Sequence, residues 1–368
     1  MGTEPIRVGF IGLNPDSHWA SLAHIPALRS LSEDFEVVGV ANSTPESAQR
    51  TAEALKLPHA FASPQALVAS DEIDLVVVTV KVPYHYELVS AALVAGKHVH
   101  CEWPLGNGLE EAKALAKLAK EKGVVATVGN QMRRAVEVQY LRRLIAEGYV
   151  GEVLSTTLVA DAGGWGAETV ADLAYLNDKS KGATMLTIPF GHTMAGVMEV
   201  LGPFADVSAR MVRRRDTVFV TDTQETVPST AEDQIMVNGV LESGAAFSAH
   251  YRGGLSRGTH LLWEINGTEG DIRVTGDLGH GQMTQLVLHG ARGGERELKP
   301  LTPPAALYEG RPEHVIPRNV AGIYAMIAGD IRDHTRKAPS FEDAVKLHEL
   351  LDAVERSSRH RNENQTIA

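Results

Sequence analysis

Arg7-Val8-Gly9-Phe10-Ile11-Gly12-Leu13-Asn14-Pro15-Asp16-Ser17-His18-Trp19 is a short apolar run that breaks at a turn and then enters a helix. Val8, Phe10 and Ile11 suit a buried parallel strand. Asp16 or Ser17 is placed to cap the following helix, whose free N–H groups and positive dipole end attract a pyrophosphate. The stretch therefore reads as a nucleotide-binding βα turn, with a dinucleotide held near Gly12. The full fingerprint has three glycines; here Gly12 stands in place, and Asn14 and Ser17 hold the later two positions. An ordinary first strand and turn of an α/β domain is the competing reading.

A chain of 368 residues is too long for one typical core, so two domains are expected. The formal net charge of -11 argues against nucleic-acid or anionic-membrane partners, which would meet repulsion over most of the surface, and favours a small-molecule or protein partner. Cys101 is the single cysteine, which excludes an internal disulfide and fits a reducing compartment. Met1-Gly2-Thr3-Glu4-Pro5 leads into the first strand with neither a basic nor a long apolar segment. Nowhere does an apolar run reach the length of a membrane span, so a cytoplasmic protein is expected.

The segment from Phe35 to Ala41 has the β-branched density of a second buried strand and ends at Asn42-Ser43-Thr44. A dinucleotide fold usually carries Asp or Glu here for the adenosine ribose, and its absence permits a 2′-phosphate. Asn42, Ser43 and Thr44 as donors, with Arg50 one helical stretch on, favour NADP over NAD; Ser-Thr-Pro-Glu also reads simply as a helix N-terminus. The next strand, Ile73 to Val80, places Lys81, Pro83 and His85 at the crevice beyond the sheet. His85 alternatively caps or packs locally. On the strand that follows Gly96, His98 and His100 share a face, but Cys101 points the other way and no third ligand is apparent, so no metal is expected. A helix from Leu109 to Lys122 and a strand ending at Gly129 complete an alternating pattern that predicts a doubly wound parallel sheet over residues 1–129.

Beyond the crossover at Asn130-Gln131-Met132-Arg133-Arg134, a helix runs from Val136 to Glu147. A strand follows in which Leu154, Thr156, Leu158 and Ala160 alternate toward one buried face and which delivers Asp161 and Trp165. The run Gly182 to His192 leads into a helix ending near Gly202. From Phe204 to Leu288 the chain turns to strands, with a hairpin pairing Leu261-Leu262-Trp263 with Ile272-Arg273-Val274. Tyr251, Arg252 and Arg257 are candidates to reach a substrate or a neighbouring subunit. A final amphipathic helix spans Phe341 to Arg359.

The spacing of Gly12, Val82-Pro83, His85 and Glu102-Trp103-Pro104 resembles the glucose-fructose oxidoreductase/inositol dehydrogenase/MocA family. Val8-Gly9-Phe10-Ile11-Gly12-Leu13, His24, Val80-Lys81-Val82-Pro83, Gly163-Gly164-Trp165 and Phe190-Gly191-His192-Thr193 are similar to its subgroup of galactose-regulon repressors, which bind NADP and act through protein contacts. The resemblance implies an α/β chain: a Rossmann domain, then an α+β domain over residues 130–368 with a large open, mostly antiparallel sheet that serves as an interface in a homodimer or homotetramer. It implies NADP or NAD against Gly12, Leu13, Asn14, Ser17, Trp19, Asn42, Ser43, Thr44, Lys81, Val82, Pro83, His85, Glu102, Trp103 and Gln131, the last facing the nicotinamide.

Two departures bear on chemistry. The enzyme branch has Glu-Lys-Pro where this chain has Glu102-Trp103-Pro104, and an Asp four residues before the substrate-facing His where this chain has Ile188 before His192. Trp103 transfers no proton. Asp161 is the candidate replacement carboxylate, Trp103 and Trp165 are candidates to stack on a sugar ring or to be core, and His192 is the candidate general base. The expected function is NAD(P)-dependent oxidoreduction of a sugar, sugar derivative or cyclitol. The alternatives are a catalytically silent NAD(P)-binding regulator, or a redox-neutral epimerase or glycosidase using bound cofactor.

Overall fold

The computed structural model describes residues 4–16 and 19–360. The chain divides into two compact units, residues 1–134 with 308–346 and residues 135–307 with 347–368.

The first unit is built on six parallel strands: β1 (Ile6–Ile11), β2 (Phe35–Ala41), β3 (His59–Ala60), β4 (Leu75–Val78), β5 (His98–Glu102) and β6 (Ala126–Gly129). Their order is β3-β2-β1-β4-β5-β6, which reverses direction between β1 and β4, and this is the crevice where doubly wound sheets bind ligands. Helices α1 (Ile25–Ser30), α2 (Pro45–Leu55), α3 (Pro64–Val68), α4 (His85–Val94) and α5 (Leu109–Lys122) connect the strands. The helix expected after the Gly12 turn begins as a π-helical turn, Ala20–His24, running into α1. The start of α2 follows the local chemistry: Thr44 Oγ1 accepts from the Ser47 N–H, and Pro45 occupies the first helical position, where no backbone donor is missed.

Residues 308–346, which the sequence reading assigned to the second domain, lie with the first unit. Helix α6 (Val136–Ala146) and α7 (Gly191–Leu201) belong to the second unit, whereas α8 (Val315–Asp333) joins the first. Val320, Ile323, Tyr324 and Ile327 of α8 complete the core containing Val8, Phe10, Leu13 and Phe35, and the Tyr324 and Phe35 rings lie 5.4 Å apart. Each such side chain withdrawn from water contributes about 1.5–3 kcal/mol, so this return of the chain is energetically well founded.

The second unit carries β7 (Val153–Ala162), β8 (Glu168–Thr169), β9 (Phe204–Val212), β10 (Thr217–Val220), β11 (Glu225–Pro228), β12 (Gln234–Leu241), β13 (Ala246–Gly253), β14 (Leu261–Gly267), β15 (Gly270–Gly276), β16 (Val287–Arg292) and β17 (Lys299–Pro300). Eight of them form a sheet in the order β17-β16-β15-β14-β7-β13-β12-β9, antiparallel except where β13 runs beside β7. The hairpin forms in the expected register, with Trp263 opposite Val274. On β7 the alternation holds from Thr156 onward, while Leu154 is exposed near the strand's start. At the edge, the Ala209 and Met211 N–H groups of β9 donate to Ser357 and Ser358 of α9 (Phe341–Arg359), which blunts a strand that would otherwise invite pairing. Among the described residues no helix is long and apolar enough to cross a membrane.

Candidate functional site

In the first unit the turn after β1 is shaped by Gly12, whose φ of +96° lies in the region that L side chains avoid. A Cβ there would stand 2.5 Å from Val80 Cγ1, so only glycine fits against the chain that follows β4. The turn is clamped on both sides. Gly12 N donates to Ala41 O (3.0 Å), Thr79 Oγ1 donates to Gly12 O (3.0 Å), and Asn42 Nδ2 donates to Leu13 O (2.8 Å). Asn42 Nδ2 also lies 3.1 Å from Thr51 Oγ1, so its amide hydrogens fasten the turn and are not left for a 2′-phosphate. Ser43 and Thr44 are exposed. The Leu13 side chain is buried in the core, so this residue offers its backbone alone.

Among the described residues the Asp16 side chain makes no cap to the following helical turn. Its N–H donates to Asn14 Oδ1 (2.9 Å) in an Asx turn, and Trp19 stands at the cap position without a side-chain cap bond. Ser17 lies outside the described residues. At the carboxyl end of β6, both amide atoms of buried Asn130 and Oε1 of buried Gln131 have no hydrogen-bond partner among the described residues. A glycine cradle and orphaned buried amides at the ends of the same sheet are what a dinucleotide, with its many donors and acceptors, would satisfy.

Several candidates turn out to hold the protein itself. Lys81 and Pro83 are exposed and Val82 is buried, but His85 is buried between Pro104 O (2.7 Å from Nδ1) and Val80 O (2.9 Å from Nε2). Burial pushes its pKa below the ordinary histidine value, and it packs locally instead of facing a cofactor. Trp103 is 4 % exposed, a core residue and not a sugar-stacking platform. Glu102 accepts from Gln131 Nε2 at 2.8 and 3.0 Å and from buried His24, whose Nε2 lies 2.9 Å from Oε1. The Tyr324 hydroxyl donates to His24 Nδ1 (2.7 Å), which leaves Nε2–H for Glu102. His24 and Tyr324 were not anticipated as site residues; His24 was noted only as part of the resemblance.

In the second unit, Asp161 closes β7. It is 1 % exposed, and its two oxygens accept from three donors: Ser256 N (2.6 Å) and His260 Nδ1 (2.6 Å) on Oδ2, and Gly279 N (2.9 Å) on Oδ1. A free general base it is not. Its carboxylate instead fixes the Nδ1–H tautomer of His260, a half-buried imidazole that no motif or spacing singles out. Gly279 is required at its position, because a Cβ would collide with the Asp161 carbonyl. Its own carbonyl accepts from the Tyr251 hydroxyl (2.9 Å), which lies 2.6 Å from Thr193 Oγ1 in the first turn of α7. Tyr251, fully buried, is therefore a brace and not a surface contact; burial pushes its phenol well up. His192 precedes Thr193 and is itself buried. The Trp165 indole N–H donates to Leu176 O (3.1 Å), and its ring stacks on His280 at 5.6 Å, so it too is core. Burial lowers His280 to about 4.

Residues 6–130 match the oxidoreductase family with an NAD-binding Rossmann fold (GFO_IDH_MocA), and residues 137–276 match the C-terminal domain of Gal80p. The galactose/lactose metabolism regulatory protein GAL80 of Kluyveromyces lactis is 31% identical over 78% of this chain and 67% of its own length. The dehydrogenase aclE of Aspergillus oryzae is 36% identical over 56% of this chain and 58% of its own. A crystal structure of a super-repressor mutant of Gal80p from Saccharomyces cerevisiae superposes with a TM-score of 0.89 at 26% identity, covering 98% of this chain and 97% of that one. Sugar dehydrogenases stand among the more distant relatives.

Proposed function

From a chain that belongs to the NAD-binding GFO_IDH_MocA oxidoreductase family, in its Gal80-like subgroup, we propose an NAD(P)-dependent oxidoreductase acting on a hydroxyl or carbonyl of a sugar, sugar derivative or cyclitol. The observation that carries this reading is the buried polar chain of the second unit. It runs from Thr193, beside His192, through Tyr251 and Gly279 to Asp161, and ends at the half-buried imidazole of His260.

The Gly12 turn, with the amides of Asn130 and Gln131, would hold the dinucleotide; when bound, its nicotinamide supplies the hydride acceptor or donor. This chain must then move one proton for each hydride, because alcohol oxidation releases both. His192 is the base assigned to that task. Asp161 contributes by position, orienting His260 and fixing the loop around Gly279. Either cofactor suits a reading in which Asn42 is spent on the turn, with Ser43, Thr44 and Arg50 as the groups that would receive a 2′-phosphate.

Trp103 and Ile188 favour a second reading, a ligand-sensing regulator, since neither replaces the proton-handling Lys and Asp of the enzyme branch. Substitution separates the two. In the oxidoreductase, His192→Ala lowers turnover by about 10²–10⁴-fold, the usual worth of a positioned acid or base, while dinucleotide affinity stays. Dinucleotide binding in a wild type that turns over no sugar or cyclitol in either direction supports the regulator.

A further inference from the structure

Within the first unit, three ligand-type side chains converge in the interior: His24 before α1, and His100 and Glu102 at the end of β5. Their candidate donor atoms all lie within 4.8 Å of one another. Glu102 Oε1 is 2.9 Å from His24 Nε2 and 3.9 Å from His100 Nε2. Both histidines are fully buried, and the Glu102 side chain is 12% exposed, so the cluster opens to solvent only through the carboxylate.

The protons of His100 can be assigned by elimination. Thr127 Oγ1 donates its hydrogen to Val99 O (3.3 Å), so its contact with His100 Nδ1 (2.9 Å) is an acceptance, and the proton of the neutral ring sits on Nδ1. The lone pair at Nε2 then has no hydrogen-bond partner and lies near a carboxylate oxygen. Two electron-rich atoms buried at 3.9 Å repel unless a cation lies between them.

We propose that His24, His100 and Glu102 form a binding site for a divalent first-row transition ion, with zinc the best match. The donor set is two imidazoles and a carboxylate, the His₂Glu class, which leaves a fourth position open. At zinc–ligand distances of about 2.0–2.2 Å, two donors can be up to about 4.2 Å apart, and the 2.9 and 3.9 Å from Glu102 Oε1 to the two imidazoles fall inside that span. Each ligand also has an outer partner of the kind that orients metal ligands: Thr127 on His100 Nδ1, Tyr324 on His24 Nδ1, and Gln131 on Glu102. On binding the ion His24 would exchange tautomer, giving up the Nε2 proton that Glu102 accepts in the empty cluster and carrying one on Nδ1, where the Tyr324 oxygen turns from donor to acceptor. His98, the other histidine of β5, takes no part, since its Nδ1 accepts from Val125 N (3.0 Å). Sequence spacing suggested the pair His98 and His100 and showed no third ligand; the fold replaces His98 with Glu102, two residues beyond His100 on the same strand, and with His24 from outside it.

The test is titration of the chelator-treated full chain with Co²⁺, read by the visible bands of four-coordinate cobalt, followed by displacement with Zn²⁺. One equivalent is expected. His98→Gln retains it, Thr127→Val weakens it about tenfold, the usual cost of losing an outer partner, and Glu102→Gln and His100→Ala weaken it further. If His100→Ala fails to fold by circular dichroism, Glu102→Gln and Thr127→Val carry the test. Absence of the four-coordinate bands in the wild type, or binding that Glu102→Gln leaves unchanged, would overturn the assignment.

Discussion

Asp161→Asn distinguishes an anchor from a catalyst. The native carboxylate receives three N–H donors, two on Oδ2 and one on Oδ1. An amide keeps only one accepting oxygen. Its best orientation leaves that oxygen toward Ser256 N and His260 Nδ1 and turns the NH₂ against the Gly279 N–H. Gly279 cannot retreat freely, because its backbone is packed against that of residue 161 and its carbonyl is held by Tyr251. The variant loses one charge-assisted bond, about 1.5–3 kcal/mol, and demotes two others from charged to neutral, about 1 kcal/mol more. A total of about 3 kcal/mol, with a urea dependence of about 3 kcal/mol per molar, lowers the midpoint by about 1 M. Urea titration followed by tryptophan fluorescence reads this, since Trp165 and Trp263 are both buried in the second unit. A change below about 0.5 kcal/mol, the level of an ordinary surface substitution, together with lost turnover, would refute the anchoring argument and return Asp161 to the role of a base.

Three further outcomes follow from the same geometry. Gly12→Ala forces a Cβ toward Val80 in a left-handed conformation that alone costs about 1–2 kcal/mol, so dinucleotide affinity, measured by calorimetry, falls at least about tenfold. Tyr251→Phe removes the hydroxyl between Thr193 and Gly279 and should cost about 1–3 kcal/mol in thermal or urea unfolding; a neutral result would mean that this brace is not formed. His348 is buried and its pKa is lowered to about 4, below the value of about 6.5 in an unfolded chain. Its folded form therefore binds fewer protons, so its contribution is fully present above about pH 6.5 and is lost as pH falls toward 4. His348→Gln should flatten the pH dependence of stability in that window by about 1.4 kcal/mol per pH unit, and an unchanged slope would contradict the burial argument.

What could be read in the sequence was mostly local. The Gly12 turn, the parallel strands, the Thr44 cap and the Trp263 hairpin each depend on periodicity or on residues within a few positions of one another. The candidate site was legible only in part. Asp161 was singled out as a replacement carboxylate, but its hydrogen-bonding partner His260 lies 99 positions on and was not. Glu102 and His24 are 78 positions apart, and His24 and Tyr324 are 300 apart, so pattern and spacing carry no trace of those contacts. For Trp165 the sequence left stacking and core both open, and the loop folds back to pack the indole against His280. The return of α8 to the first unit was equally hidden, since its apolar stripe suits either core.

The most direct measurement of the central claim follows reduced-nicotinamide absorbance while the wild-type protein is mixed with NAD or NADP, in either redox state, and a panel of sugars and cyclitols. The account predicts net oxidation or reduction with at least one substrate, lost in His192→Ala. Tight dinucleotide binding with no change in absorbance for any substrate in either direction would contradict it.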